Sequence, residues 1–336
     1  MPRPTVRRFD DVTDVPRDWP SSVVTIGVFD GVHAGHRALI DAARREAARR
    51  STAGRPTPVV AVTFDPHPNE VVREGSHPPL LATVDHRVRL LGEAGVDAVV
   101  VLPFTLEFAQ LTPEEFARRV LAQRLHAAAV VVGGNFRFGH RASGTTATLT
   151  DLGGQLGFDV VVVDLVTGPG DGGDVAWSSS YVRQCVKEGD VEAASAVLRR
   201  LHRVEGRVVH GDHRGRELGY PTANLSTTEH AAVPADGVYA GWLLRDLRPG
   251  APGEVSREPQ RLAAAISIGT NPTFDGAQRR VEAYVLDRDD LDLYDAEVAL
   301  EFTTRLRPTL TFDSVDALVA AIADDVERTR SVLATG

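Results

Sequence analysis

VTIGVFDGVHAGHRALI, residues 24–40, joins a strand-forming run to a helix-forming run through three glycines and two histidines. The run VVTIGV (23–28) is short, apolar and rich in Val, which is typical of a strand buried on both faces of a parallel sheet. The segment that follows, GHRALIDAARREAARR, is rich in Ala and Arg and predicts a helix. A strand that turns through glycines into a helix predicts the first unit of a doubly wound α/β fold.

The same alternation continues through the first half of the chain. Further Val-rich apolar runs are PVVAVTF (58–64), DAVVVLPF (97–104), AAAVVVGG (127–134) and FDVVVVDLV (158–166). Between them, TPEEFARRVLAQRL begins with Thr112 as N-cap and has Glu115 three residues later, the pattern of a capping box. Short joins between strands and helices predict a doubly wound, Rossmann-like α/β domain. The Gly-rich segment TGPGDGGD (167–174) predicts a flexible loop.

Beyond about residue 202 the pattern changes to strands without intervening helices. The runs with strand chemistry are VEGRVVHG, GVYAGWLL, AAAISIG, VEAYVL and AEVALEF. LRPGAPGEVSREPQ (247–260) predicts an exposed hairpin loop, and Ser314 predicts the cap of a closing amphipathic helix. The apolar face of that helix comprises Val315, Leu318, Val319, Ile322, Val326 and Leu333. We predict a small antiparallel β-barrel with a terminal helix, and domain boundaries at 1–186, 187–201 (a connecting helix) and 202–336.

Composition excludes several classes of protein. The chain of 336 residues has 37 basic and 46 acidic residues and a net charge of −9, which argues against a general binder of nucleic acids or anionic membranes. A lone cysteine, Cys185, excludes an intrachain disulfide and is expected to pack on a helix. The start of the chain lacks an apolar signal core, and no apolar run approaches a membrane span. We therefore expect a cytoplasmic protein; whether it forms a homo-oligomer stays open.

The glycines and histidines of residues 24–40 indicate a phosphate ligand. Ligands of doubly wound sheets bind beyond the carboxyl ends of the strands, where Gly27, Gly31 and Gly35 let the backbone approach closely. The N-terminus of the helix offers unpaired N–H groups to an anion. His33 and His36 add two donors that favour charge developing on a transferred phosphate. The alternative is a tight turn with two incidental surface histidines.

This motif, G-x-F-D-G-x-H-x-G-H, resembles the HxGH signature of the nucleotidyltransferase superfamily in the form found in bacterial FAD synthetases, the bifunctional riboflavin kinase/FMN adenylyltransferases. Three further blocks resemble that family in the same order: TFDPHP (63–68), GGNFRFGHRASG (133–144) and WSSSYVR (177–183). The similarity spans nearly the whole chain. Ser180 stands where the family usually has Thr, and Thr145 stands where it often has Asp.

The resemblance implies an ATP site at the first motif. His33 and His36 would contact the ATP phosphates and steady the α-phosphate while pyrophosphate leaves. The chain around Gly27, Phe29 and Gly35 would complete the site.

The later blocks are implied to bind the rest of ATP and the flavin. Ser179, Ser180 and Arg183 would bind the β- and γ-phosphates with hydroxyls, a guanidinium and a helix N-terminus. The residues assigned to FMN are Asp65, Asn135, Phe136 and Phe138. Asn135 would position the FMN phosphate. The two phenylalanines are equally consistent with ordinary core, and Asp65 with a turn role in place of a contact to Mg²⁺ or a flavin hydroxyl.

The segment VEGRVVHGDHRGRELGYPTANL (204–225) resembles the riboflavin kinase signature G-x-V-x-x-G-x-x-x-G-R-x-L-G-x-P-T-A-N. Its glycines permit a loop that wraps phosphates with backbone N–H groups. The residues assigned to this loop are Gly206, Gly211, Gly215, Gly219 and Pro221. Thr222 and Asn224, two apart, offer a hydroxyl and an amide carbonyl to one Mg²⁺.

A general base is needed near the hydroxyl that attacks ATP. SIGTNPTFDGAQRRVEAYVLD (267–287) resembles the family block that carries this base, which places it at Glu282. Taken alone, Glu282 is better explained as a solvent-facing strand residue, and it is the neighbouring block that favours the catalytic role. Arg307 also matches a family position, with either a structural role or a contact to substrate.

These patterns predict a two-step enzyme. The barrel would phosphorylate riboflavin with Mg-ATP to give FMN, and the α/β domain would join FMN to AMP from a second ATP to give FAD and pyrophosphate. Two alternatives are kept. One is another adenylyl- or cytidylyltransferase with a barrel that only binds ligand, and the other is a non-catalytic flavin-binding or regulatory protein.

Overall fold

The computed structural model describes residues 6–73, 76–170, 173–211, 219–228, 230–247, 259–273, 276–288 and 290–334. The chain divides into two units. The first comprises Met1–Pro78 and Ala82–Ser179, and the second comprises Pro79–Leu81 and Ser180–Gly336. Among the described residues, no helix combines the length and apolarity needed to cross a membrane.

The first unit is built on a six-stranded parallel sheet. Its strands are β1 (Arg7–Phe9), β2 (Ser22–Ile26), β3 (Val59–Asp65), β4 (Ala98–Pro103), β5 (Ala127–Gly133) and β6 (Asp159–Val163). They lie in the order β1-β4-β3-β2-β5-β6, and every adjacent pair is parallel. The five Val-rich runs are all strands, as predicted, and the short β1 adds an edge that the sequence analysis missed.

Helices cover both faces of this sheet. They are α1 (Ala34–Arg50), α2 (Pro68–Val72), α3 (Val84–Glu93), α4 (Pro113–Phe116) and α5 (Thr146–Leu156). Successive residues of the central strand β2 point to opposite faces of the sheet. Val24 and Ile26 belong to one hydrophobic cluster, and Val23 belongs to a second one. A strand buried on both faces needs no polar alternation, which is why its sequence is a continuous apolar run. The doubly wound fold is confirmed.

Two local predictions for this unit have different outcomes. Thr112 and Glu115 form the predicted capping box at the start of α4. The predicted flexible loop at 167–174 is wrong, because β7 (Thr167–Gly170) pairs antiparallel with β8 (Gly173–Ala176). Glycine here serves packing as well as turning, since a Cβ on Gly168 would overlap the Trp177 ring. Composition alone does not distinguish a glycine in a flexible loop from a glycine that is needed because an aromatic ring packs against its Cα.

The second unit contains a closed antiparallel barrel. Its strands are β9 (His202–Val209), β10 (Thr222–Thr227), β11 (Gly237–Arg245), β12 (Gln260–Thr273), β13 (Gly276–Val285) and β14 (Glu297–Arg307). They close in the order β10-β13-β12-β11-β14-β9 around a core that includes Leu243, Ile266 and Phe302. The predicted barrel is confirmed; its sixth strand is β10, which the PTAN segment did not reveal. The predicted hairpin loop at 247–260 lies almost entirely outside the described residues.

In the described part of the chain, the helices just before and after the barrel strands are α6 (Ser179–Glu188), α7 (Val191–Leu198) and α8 (Val315–Ala334). Cys185 is buried on α6, and this burial raises the pKa of its thiol. Ser314 caps α8 as predicted, its hydroxyl accepting the Ala317 N–H at 3.1 Å. The predicted apolar face is wrong at Val315, which is 60% exposed in the first turn. The most deeply buried α8 side chains in the described structure are instead polar.

Candidate active sites

The two histidines of the first motif lie side by side at the start of α1. His33 is the N-cap, and its Nδ1 accepts the Gly35 N–H at 3.1 Å. A neutral imidazole that accepts at Nδ1 carries its proton on Nε2, so His33 is a donor at that atom. The His33 and His36 rings stack with centroids 3.7 Å apart. The arrangement adds imidazole N–H groups to the positive end of a helix, which favours a bound phosphate.

The loop before α1 is held in a strained conformation by buried side chains. Phe29, Gly31 and Val32 have φ angles of 53°, 78° and 40°. For a residue other than Gly, such a conformation costs about 1–3 kcal/mol and persists only where packing imposes it. Phe29 and Val32 are fully buried. Phe29 can therefore contribute to the predicted ATP site only through its main chain.

Two glycines on either side of this loop, Gly27 and Gly35, are closely packed. A Cβ on Gly27 would lie 3.3 Å from the Phe29 ring, and one on Gly35 would lie 3.0 Å from the His33 ring and 3.2 Å from the Trp177 carbonyl. Both positions therefore leave their neighbours little room to move. The glycines allow the loop to pack against the rings that fix its shape.

A cavity of about 1010 Å³ opens beside this motif. Its lining includes Gly27 and His36 from the first motif, and Asn135, Phe136 and Phe138 from the block that follows β5. The Phe136 and Phe138 rings stack with centroids 5.4 Å apart. The fold thus brings together two motifs about 100 residues apart at the carboxyl ends of adjacent strands.

The same cavity has an aromatic wall that sequence analysis missed. Its additional rings are Phe64, Phe104, Phe108 and Phe116. Successive centroids are 5.6 Å apart for Phe64–Phe104 and for Phe104–Phe108, and 6.1 Å for Phe108–Phe116. The sequence did contain a signal for this wall, because Phe64 and Phe104 are the last residues of two predicted strands, where ligands of such sheets bind. Such a wall suits a large planar ligand.

Two residues of the TFDPHP block and one of the later block have local structural roles. Asp65 is exposed at the end of β3, and its carbonyl accepts the Phe104 N–H at 2.9 Å. His67 caps α2, its Nδ1 accepting the Asn69 N–H at 3.1 Å. Thr145, where an acid is common in the family, caps α5 by accepting the Thr148 N–H at 3.2 Å. Asp and Thr both serve as N-caps, so the departure preserves the local structure.

The WSSSYVR block leads into α6, which begins at Ser179 and has Arg183 as its fifth residue. In the first unit, the Ser179 hydroxyl donates to the Asp30 carbonyl at 2.8 Å. In the second unit, Ser180 is exposed and the Arg183 Nε donates to the Pro79 carbonyl at 2.7 Å. The block therefore places two hydroxyl groups and a guanidinium at one helix N-terminus.

The predicted metal and base residues of the kinase come together on adjacent barrel strands. Thr222 and Asn224 lie two apart on β10 and so share a face. Asn224 is directly opposite Glu282 of β13. The Thr222 hydroxyl donates to Glu282 Oε2 at 3.3 Å. The structure thus places a carboxylate beside the Thr222 hydroxyl and opposite the Asn224 residue on the next strand.

The glycines of the kinase segment fit close to the strands. A Cβ on Gly211 would overlap the Asn224 amide, and one on Gly206 would lie 2.6 Å from a main-chain carbonyl of β10. Gly219 has a φ of 84°, which favours glycine. Pro221 directly precedes β10, and Gly215 lies outside the described residues.

A second cavity, of about 370 Å³, opens at this end of the barrel. Thr222, Glu282 and Arg307 line it. The wall on the other side is supplied by α8, with Leu318, Ile322, Asp325 and Val326. Its volume falls within the range of small-molecule pockets.

Arg307 is held by a residue that sequence analysis missed. Its Nε and Nη2 donate to the two oxygens of Asp325 at 2.9 and 2.7 Å, and its Nη1 donates to the Pro308 carbonyl at 3.1 Å. The side chains of Arg307 and Asp325 are 16% and 6% exposed. The pair therefore fixes α8 against β14 at the cavity wall. The sequence did contain a signal for this role, because Asp325 is an acidic residue on the apolar side of a predicted helix.

We expect Asp325→Asn to destabilise the barrel by about 3 kcal/mol or more, because it leaves a buried guanidinium without its opposite charge. With a denaturant slope of about 1–3 kcal/mol per molar urea, the urea concentration at the midpoint of barrel unfolding should fall by roughly 1 M or more. Asp324→Asn is the matched control. Asp324 is 68% exposed and lies 3.9 Å from Arg328, so its loss should change stability little. Equal effects of both variants would contradict the assigned role of Asp325.

Comparisons with known proteins cover both units. Residues 15–175 match the FAD synthetase family, and residues 198–333 match the riboflavin kinase family. The chain is 33% identical over 320 residues to the Escherichia coli K12 protein named bifunctional riboflavin kinase/FMN adenylyltransferase, covering 95% of each chain. A Listeria monocytogenes protein of the same name is 33% identical over 329 residues, covering 97% of this chain and 95% of that protein.

A solved structure from Streptococcus pneumoniae has the same fold over its whole length. It is described as a macrolide-efflux protein, has a TM-score of 0.81 and 32% identity, and the match covers 97% of this chain and 99% of that one. The efflux description applies to that protein. The likeness to this chain is in sequence and in fold.

Proposed function

Because the chain belongs to the family of bacterial bifunctional riboflavin kinase/FMN adenylyltransferases, we propose which of its residues carry each of the two reactions. The enzyme phosphorylates riboflavin to FMN and adenylylates FMN to FAD, using ATP in both steps. We assign the adenylyltransferase to residues 1–186, a connecting helix to 187–201 and the kinase to 202–336. The parallel sheet ends with β6 at Val163 and the closed barrel begins with β9 at His202, which supports a division between these two strands.

His33 and His36 are the residues we assign to adenylyl transfer. When the FMN phosphate attacks the α-phosphorus of ATP, negative charge gathers on the transferred group and on the leaving pyrophosphate. Stacked imidazoles at the start of α1 can stabilise that charge, as can the N–H groups of the same helix end. The main chain at Gly27, Phe29 and Gly35 completes this part of the ATP site. The stacked histidines beside an aromatic cavity are the observation that carries the assignment.

The aromatic cavity is the proposed flavin site of the adenylyltransferase. Phe136 offers a ring face to an isoalloxazine ring and is backed by Phe138, which is buried in the core, while Asn135 offers an amide to the phosphate end of FMN. Asp65 is assigned a lesser role, at the rim, because Phe64 and Pro68 line the described cavity on either side of it.

Ser179, Ser180 and Arg183 are proposed to bind the β- and γ-phosphates of ATP. Two hydroxyl groups and a guanidinium within the first five residues of α6 supply donors of the type that phosphates prefer. The hydrogen bond from Ser179 to the Asp30 carbonyl supports a fixed position for that hydroxyl in the first unit.

Glu282 is the proposed general base of the kinase. The carboxylate accepts the Thr222 hydroxyl and lines the barrel cavity, so it is placed to take the proton of the riboflavin hydroxyl that attacks ATP. The loop containing Gly206, Gly211, Gly215, Gly219 and Pro221 is assigned to the phosphates of ATP. Arg307 contributes by shaping the cavity wall together with Asp325.

Thr222 and Asn224 fit a Mg²⁺ ion. Their hydroxyl and amide oxygens lie on one face of β10, opposite a carboxylate, and Mg²⁺ prefers such hard oxygen donors together with substrate phosphates. Bound with ATP, the ion would neutralise phosphate charge. The residues themselves hold the γ-phosphate end of ATP close to Glu282.

The test is to incubate the full chain with riboflavin, ATP and Mg²⁺ and to separate the flavins by chromatography. FMN should form first and FAD later, with pyrophosphate released in the second step, and EDTA should stop the kinase step. If the chain converted separately supplied FMN to FAD but did not convert riboflavin to FMN, the barrel would be reduced to a ligand-binding module. Binding of flavin with neither product would support a non-catalytic protein instead.

A further inference from the structure

Arg87, on α3, is among the largest fully buried side chains of the described structure, although it carries a charge. It is 2% exposed. Its Nη1 donates to the Phe64 carbonyl at 2.9 Å and to the Thr63 hydroxyl at 3.2 Å. Burying a guanidinium is costly unless hydrogen bonds compensate it, so these contacts are expected to be closely fixed.

The Thr63 hydroxyl extends this hydrogen-bond network to the loop that follows β2. The Thr63 side chain is fully buried near the end of β3, and its hydroxyl donates to the Val28 carbonyl at 2.8 Å. One hydroxyl thus accepts from Arg87 and donates to Val28. The chain of hydrogen bonds runs from α3 through β3 to the loop that follows β2.

Both ends of this connection reach the wall of the large cavity. Val28 and Phe64 line it, the first in the loop that leads to the two histidines and the second at the start of the TFDPHP turn. Val28 lies beyond the last residue of β2, Ile26, so the ladder of the sheet does not hold its carbonyl. The side-chain relay holds it instead.

We propose that Arg87 and Thr63 are positioning residues for adenylyl transfer, fixing the loop that leads to His33 and His36 relative to the flavin side of the cavity. The inference rests on the proposed assignment of this cavity to the adenylyltransferase. Neither residue needs to touch substrate. Their effect arises because the reacting groups must be held to within about an ångström, and misplacement on that scale costs as much as 100-fold in rate.

Thr63→Val tests the relay with little change in volume. It removes the hydroxyl that joins Arg87 to Val28, and we expect kcat for FMN adenylylation to fall about tenfold while the KM for ATP changes less than threefold. Thr63→Ser keeps a hydroxyl and should restore most of the rate. Riboflavin kinase activity of the same purified chains should be unchanged, which reports on folding and concentration in each sample.

Thr25→Val is the matched control. Thr25 is equally buried on the neighbouring strand β2, and its hydroxyl has no hydrogen-bond partner among the described residues. The variant should therefore adenylylate FMN at the wild-type rate. Equal slowing by Thr25→Val and Thr63→Val would overturn the proposal, as would a normal kcat for Thr63→Val or failure of Thr63→Ser to restore it.

Arg87→Lys gives a second test if Thr63→Val folds poorly. The ammonium keeps the charge but cannot reproduce the planar fork of the guanidinium, so kcat for adenylylation should fall severalfold with kinase activity kept. A wild-type rate in Arg87→Lys would overturn the proposal. A wild-type chain that makes FMN but no FAD would instead refute the proposed function, so the two failures are distinguishable.

Discussion

Glu282→Gln should lower kcat for FMN formation by about 10²–10⁴-fold, the usual contribution of a positioned general base. Glutamine keeps the shape of the side chain and can still accept the Thr222 hydroxyl, which lies 3.3 Å from the carboxylate. It cannot take up the proton of the attacking riboflavin hydroxyl. Conversion of supplied FMN to FAD should proceed at the wild-type rate, because that reaction is assigned to the other unit.

The measurement is a steady-state assay of each half-reaction on the same preparation. Glu297→Gln is the matched control, since Glu297 begins β14 of the same barrel, is exposed and is not among the residues that line the cavity. It should leave both rates unchanged. If Glu282→Gln abolished both half-reactions in a folded chain, separate sites would be excluded. If it slowed neither, the base would have to be another residue.

The strands of the parallel sheet were predictable because each is buried on two faces. Such a strand must be apolar along its length, so runs such as residues 127–133 leave a strong signal in the sequence. The barrel strand β10 left no such signal in the sequence. Its sequence TANLST has few residues of high strand propensity, and pairing with β9 and β13 determines its conformation.

The candidate sites were predictable only where a short motif carried them. Thr222, Asn224 and Glu282 were assigned through resemblance, and the strand register shows the physical reason for their separation in sequence. Asp325 is different, because its role depends on Arg307, 18 residues earlier and on another element. Nothing in the local pattern of an amphipathic helix identifies the partner of one acidic residue.

The aromatic wall shows the same limit. Phe64 and Phe104 are adjacent in space because β3 and β4 are parallel neighbours with Asp65 opposite Pro103. Sequence analysis predicted both strands but not which strands are neighbours. The order of strands is a property of the whole sheet, so contacts across it were not available from either segment alone.

His36→Ala should lower the rate of FAD formation from FMN by about 10²–10³-fold, the typical cost of removing one donor to developing charge. His36 is preferred to His33 for this test because His33 also caps α1, and its loss would combine a catalytic effect with a helix-cap loss of about 0.5–2 kcal/mol. The ring of His36 is stacked on His33 and lies 5.1 Å from the Phe29 ring between centroids. Riboflavin kinase activity should be unaffected.

The readout is pyrophosphate release with FMN and ATP, alongside FMN formation from riboflavin. His77→Ala is the control, since His77 lies in the same unit, contacts Glu70 at 3.4 Å and is not among the cavity-lining residues. A loss of pyrophosphate release confined to His36→Ala would place the developing charge at the start of α1. Equal losses in the two variants would mean that the fold of this unit, and not a donor to phosphate, had been disturbed. Full activity in His36→Ala would leave the helix N-terminus and His33 as the groups that stabilise the transferred phosphate.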